Sequence, residues 1–103
     1  MHIVIFITTA NKEESKKIAV ALLEAKLAAC VNIVDKVRSM FWWKGRIDSS
    51  EENLLIVKTA KSKLVKVIKT VKSLHSYTVP EVIALPVSGG NKDYLSWIDE
   101  SVR

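Results

Sequence analysis

VNIVDKVRSMFWWKGRIDSSEENLLIVKTA (Val31–Ala60) is the stretch on which the fold turns. Two β-rich arms flank Lys44-Gly45, a pair suited to a turn. The first arm takes over near Ala28 and carries VNIVDKVRSMFWW; the second runs from Arg46 to Ala60 and ends in the apolar LLIVKTA. The polar SSEEN in the return arm predicts a bulge or loop there. Typical strands have about five or six residues, whereas these arms approach 15, so the hairpin is expected to project beyond its own sheet. Phe41, Trp42 and Trp43 stand at its tip. Successive side chains alternate faces, so Phe41 and Trp43 point one way and Trp42 the other. Rings on both sides of a protruding ribbon need a cover that one subunit lacks, which predicts a homo-oligomer joined through the hairpin. The competing use of these rings, interleaved with Lys and Arg, is a stacking platform for bases.

Outward from the hairpin, His2–Thr9 (HIVIFITT) reads as a central strand. Asn11 offers a side-chain cap and Glu14 lies three residues on, as in a capping box. Ile18, Leu22 and Ala25 give the following helix its apolar face. After the hairpin, residues 61–74 alternate lysines at 61, 63, 66, 69 and 72 with a stripe of Leu64, Ile68, Val71 and Leu74. This predicts an amphipathic helix with a solvated basic face, the alternative being a phosphate-binding stripe. Glu81–Val87 is a fourth strand, Gly89-Gly90 a turn, and Asn91 the cap of a last helix holding Tyr94, Leu95, Trp97 and Ile98. The order β-α-β-β-α-β plus a C-terminal helix predicts an α+β, ferredoxin-like domain over residues 1–103. Its four-stranded antiparallel sheet would carry helices on one face.

The composition, 49% hydrophobic and 26% charged, is that of a soluble globular protein. No apolar run reaches the ~18 residues that a membrane span needs, so no membrane partner is expected. The apolar N-terminus lacks a basic leader and a cleavage site, and Cys30 is the only cysteine; both fit a reducing cytoplasm. The net charge of +5 is compatible with nucleic acid, but lysines also keep small proteins soluble, and nucleic acid is not the expected partner.

Ser73–Val87, SLHSYTVPEVIALPV, concentrates the chemistry. His75 at a helix C-terminus reads either as a cap for the last carbonyls or as a metal ligand. Cys30 is either a small buried hydrophobe or a second ligand. Glu81 opens a core strand and Lys58 sits in an apolar one; an ion pair between them resolves both anomalies. A Cys30–His75–Glu81 catalytic set has the right residue types, but no cysteine-hydrolase signature surrounds Cys30. No phosphate loop, HExxH or CxxC occurs, so the chain is not expected to be an enzyme.

LAACVNI (27–33), WWKGRI (42–47), IVKT (56–59), HSYTVPEVIALPV (75–87) and DYLSWI (93–98) together resemble the CutA family of divalent-cation-tolerance proteins, across essentially the whole chain. The resemblance implies a cytosolic homotrimer of ferredoxin-like subunits, joined through long hairpins and tied to tolerance of copper and other divalent metals. Together with the residue readings above, this makes a cleft between subunits near His75, Glu81 and Lys58 the candidate site, with Tyr77 and Trp43 as walls and His75 and Cys30 as candidate ligands for Cu²⁺ or another divalent cation. A trimer of this shape is similar to that of the PII-like signalling proteins, so the alternative function is a trimeric sensor of a small anionic molecule at the subunit interface. The chain departs from the family pattern at Ser76, where a proline is usual. It also departs at Ile7 and Leu74, where some relatives place a cysteine and a histidine.

Overall fold

Alternation of buried and half-buried residues along the first strand, β1 (His2–Thr9), sets the layering. Ile3, Ile5 and Ile7 point to one face and are closed from solvent. Val4, Phe6 and Thr8 point to the other and stay partly exposed. A computed structural model describes all 103 residues. Its elements are β1, α1 (Lys12–Glu24), β2 (Cys30–Trp43), β3 (Arg46–Ala60), a 3-10 turn over Lys61–Lys63, α2 (Leu64–Leu74), β4 (Val82–Pro86) and α3 (Lys92–Ser101). The sheet order is β2-β3-β1-β4, antiparallel throughout, as the ferredoxin-like reading requires.

α1 and α2 cover the isoleucine face of β1. Ile18 and Leu22 from α1, and Val67 and Val71 from α2, close the core with Leu55 and Val57 of β3. The α2 stripe is therefore centred on Val67 and Val71, flanked by Leu64 and Leu74; Val65 points outward. On α1, Ala25 lies past the helix end and is exposed. Asn11 caps α1 by accepting from the Glu14 N–H, while Glu14 Oε2 accepts from the N–H of Ala10. The C-terminal α3 lies against the opposite face, where the His2 ring donates to Asp99 Oδ1 at 2.9 Å and Lys58 Nζ sits 6.0 Å from the Tyr94 ring centre.

The hairpin is as long as its sequence suggests. β3 pairs with β1 only from Asn53 onward, so Arg46–Glu52 and the facing Val37–Trp43 run free of the sheet. The overhang is about 23 Å at the strand rise. It draws the molecule out to 44 × 26 × 23 Å and raises the radius of gyration to 14.1 Å, where a compact chain of this length has about 13 Å. Lys44 and Gly45 close the turn with φ of +52° and +76°, the left-handed pair that a two-residue hairpin loop needs.

The irregularity expected in SSEEN lies instead on the partner strand. β3 is continuous, and the register shifts between Val34 and Val37 of β2. Lys36 adopts φ +60° there and its N–H donates to the Asn53 side chain. Asn53 is buried with Ser15 and Thr9, whose hydroxyls bond each other and take up the Asn53 amide. The polar residue thus satisfies a bulge across the ladder rather than making one.

Candidate functional site

At the root of the hairpin, β3 leaves the sheet beside the loop that leads into β4. Two adjoining hollows of about 450 and 380 Å³ open there and share Phe41, Glu52 and Tyr77. Trp43, Asp48 and Val79 line the outer one, and Thr8, Met40 and Glu81 the inner one. Tyr77 donates its hydroxyl to Glu52 Oε2 at 2.7 Å. Glu52 is only 6% exposed, which is unusual for a carboxylate without a cationic partner. Burial, and after it the neighbouring Glu52 carboxylate, push the Tyr77 phenol up to about 12. Burial and the same Glu52 charge raise Glu81 above the ordinary carboxylate value, against a smaller opposing hydrogen bond from Thr8. The cleft is aromatic and acidic, with no Lys or Arg within 4.0 Å of its carboxylates.

His75 sits behind this cleft and holds its loop. Its side chain is closed from solvent. Nε2–H donates to the Thr8 carbonyl at 2.7 Å, and Nδ1 accepts the Tyr77 N–H at 3.0 Å. A carbonyl only accepts and an amide only donates, so these bonds select the neutral ring with hydrogen on Nε2. The C-cap role read from the sequence takes another form: the His75 backbone N–H caps Val71, while the ring ties the loop to β1. Glu14 braces the same loop by accepting the Ser76 N–H at 2.7 Å. Burial would raise the Glu14 carboxyl, but the Ala10 and Ser76 donors outweigh it and hold the group below its ordinary value.

Of the residues singled out from sequence, His75, Tyr77, Glu81 and Trp43 gather at this end. Lys58 and Cys30 do not. Lys58 pairs with Val4 in the ladder and Glu81 adjoins Thr8, four residues further along β1, about 13 Å away. The Lys58–Glu81 ion pair is therefore absent within the chain: β1 separates the two ends of the anomaly that it was to resolve. Cys30 lies directly across from Lys58 at the opening of β2, half-exposed rather than buried. No three His, Cys, Asp or Glu side chains converge to hold a metal ion. His75 could ligate one through Nδ1 only by releasing Tyr77, so a single chain does not present a fitting site.

Glu52 and Glu14 were not picked out, having been read as a loop residue and a helix opener. The period-two run Glu52, Leu54, Ile56 puts Glu52 on the apolar face away from the helices, but its burial comes from Tyr77, 25 residues away in sequence.

The fold and cleft define a ferredoxin-like α+β subunit with an overlong hairpin and an acidic, aromatic pocket at its root. The CutA1 divalent ion tolerance protein family matches residues 3–101, and the chain belongs to this family. It is 49% identical to the divalent-cation tolerance protein CutA of Archaeoglobus fulgidus over 103 residues, all of both chains. It is 48% identical to the chloroplastic CutA 1 of rice over 98% of its own length but spans only 57% of that protein. A solved structure of the A. fulgidus protein, described as periplasmic, superposes with a TM-score of 0.97 and covers all of both chains.

Proposed function

We propose that this chain works as a cytoplasmic homotrimer that binds divalent cations, copper foremost, in metal tolerance, with the cation site completed between copies. The observation that carries this reading is the apolar face opposite α1 and α2, which α3 covers only in part. Phe6 pairs with Ile56 and Ile83 there, and Val4 with Leu85. Ile83 is 55% exposed and Leu85 41%, and the face continues into a hairpin whose Trp42 is 73% exposed. Surfaces of this kind on a small domain mark association.

Charge supports the same arrangement. Glu52 and Glu81 crowd one end of the subunit without a cation, while Lys58 and Cys30 wait at the other. A copy that lays its hairpin along its neighbour brings such ends together. The pairing of Glu81 with Lys58 then forms between subunits, and Cys30 supplies a soft donor beside oxygen ligands. The acidic lining of the cleft favours a cation over the small anion of a PII-like sensor.

Titration of Cu²⁺ into wild type, Cys30→Ala and His75→Ala tests the assignment. The expected result is weaker binding by Cys30→Ala. Unchanged affinity in both variants removes both donors from the site. The expectation that the chain has no catalytic activity is carried with this proposal; a thiol of ordinary alkylation rate at Cys30 is the corresponding result.

A further inference from the structure

The layer formed by α1 and α2 holds nearly all of the protein's excess charge. Residues 12–26 and 61–74 contain nine lysines and three glutamates, a net of +6 in a chain whose total is +5, so the remainder is −1. No lysine in the chain lies within 4.0 Å of a carboxylate oxygen. α2 is the extreme case: it has no acidic residue in its first turn and no side-chain cap, and two lysines directly precede it. Positive charge at a helix N-terminus opposes the macrodipole. Lys63, Lys66, Lys69 and Lys72 follow at steps of three, where like charges are neighbours and repel. α1, by contrast, has Glu13 and Glu14 in its first turn and the Asn11 cap. The α2 sequence thus accepts two electrostatic costs that an anionic partner relieves.

Aliphatic residues stand among these lysines. Val65 is 78% exposed, with Lys61, Lys69 and Lys72 at helical spacings of four and seven. Val20 of α1 is 42% exposed and lines a hollow along α1 with Lys16, Lys17, Glu13, Glu24 and, from α2, Leu74. Stacking on bases would need aromatic side chains and adenine readout would need amides, and α1 and α2 contain neither. Lysines around projecting aliphatic groups suit a bilayer interface, where the charge meets anionic headgroups and the methyls meet the acyl boundary.

We propose that the solvent face of α2, with the adjoining Lys16, Lys17 and Val20 of α1, is a peripheral docking surface for anionic phospholipid membranes. It departs from the expectation of no membrane partner, which rested on the lack of a spanning segment. The face lies on the far side of the sheet from the apolar surface assigned to assembly, so an oligomer leaves it free.

Co-sedimentation of the full chain with vesicles tests it. Phosphatidylcholine vesicles containing about one-third phosphatidylserine are compared with pure phosphatidylcholine, at low and at physiological salt (about 0.15 M). Binding to the anionic vesicles alone, weakened by salt, is expected. Each lysine contributes about 1 kcal/mol near such a surface, so Lys63→Gln/Lys66→Gln/Lys69→Gln is expected to lower partitioning about a hundredfold. Lys66 and Lys69 are exposed, Lys63 is half-buried, and the mutual repulsion of the three is relieved, so the variant should melt no earlier than wild type. Val65→Ser is expected to weaken binding further, whereas Lys44→Asn/Lys92→Gln/Arg103→Gln, an equal charge loss elsewhere, keeps it. Three results overturn the proposal: no binding to anionic vesicles, equal weakening by both triple variants, or capture of short duplex DNA without vesicle binding.

Discussion

Tyr77 and Glu52, 25 residues apart in sequence, meet through a 2.7 Å hydrogen bond that closes the hairpin root against the β4 loop. Glu52 has no cation beside it, so the phenol is what makes its burial tolerable. Tyr77→Phe keeps the ring and removes the donor. The expected loss is about 1–3 kcal/mol in urea unfolding, the usual cost of stranding a buried acceptor.

The same bond makes stability depend on alkaline pH. Burial and the Glu52 carboxylate push the folded Tyr77 phenol from its ordinary 10.0 up to about 12, so the folded state keeps this proton longer. Its contribution is complete below pH 10 and is lost as pH rises from there through about 12. Unfolding curves across that window should show the loss in wild type. Tyr77→Phe should lack that part of it; identical slopes would contradict the assignment.

Glu81 and Glu14 act with opposite signs at acid pH. Burial and Glu52 raise Glu81 above 4.5, so its contribution is present below that value and is lost as pH rises through the folded value. Glu14 lies below 4.5, so its contribution is present above that value and is lost as pH falls. In the isolated subunit, where no neighbour's Lys58 pairs with it, Glu81→Gln is therefore expected to be more stable than wild type at pH 7, with the advantage shrinking toward pH 4. Glu14→Gln is expected to be less stable at pH 7, with a weaker decline in acid. Chemical denaturation from pH 3 to pH 7 checks both.

His75 is expected to matter for folding irrespective of metal. His75→Ala frees the Thr8 carbonyl and the Tyr77 amide together. A loss of about 2–4 kcal/mol in chelator-treated protein is expected. Full stability without the ring would show that the loop does not depend on it.

Much of this was legible beforehand, and the reasons are local. Alternation in HIVIFITT, the Asn11 cap, the Lys44-Gly45 turn and the length of the arms all report on neighbouring residues. They yielded the strand order and the overhang. The bulge was placed on SSEEN because polarity marks where a ladder breaks but not which strand breaks it; Asn53 stabilises a bend at Lys36, across the ladder. The Lys58–Glu81 pair failed for a related reason. Each residue is anomalous in its own strand, but register along β1 decides whether they meet, and that is a property of the whole sheet. Glu52 was hidden among polar neighbours because its burial comes from Tyr77, a contact with no local trace.

The apolar face makes a separable demand. Ile83 is 55% exposed in the single chain, so Ile83→Asp should cost a lone subunit only about 0.5 kcal/mol, as at an ordinary surface position. If that face is an interface, the same change should instead dissociate the assembly, with the released subunits still folded by circular dichroism.

Sedimentation equilibrium of dilute wild-type protein tests the central claim most directly. A single species at three times the 11.5 kDa chain mass is expected. A stable 11.5 kDa species would contradict it, because the exposed hairpin and sheet face would then need no partner and the cleft would have nothing to complete it.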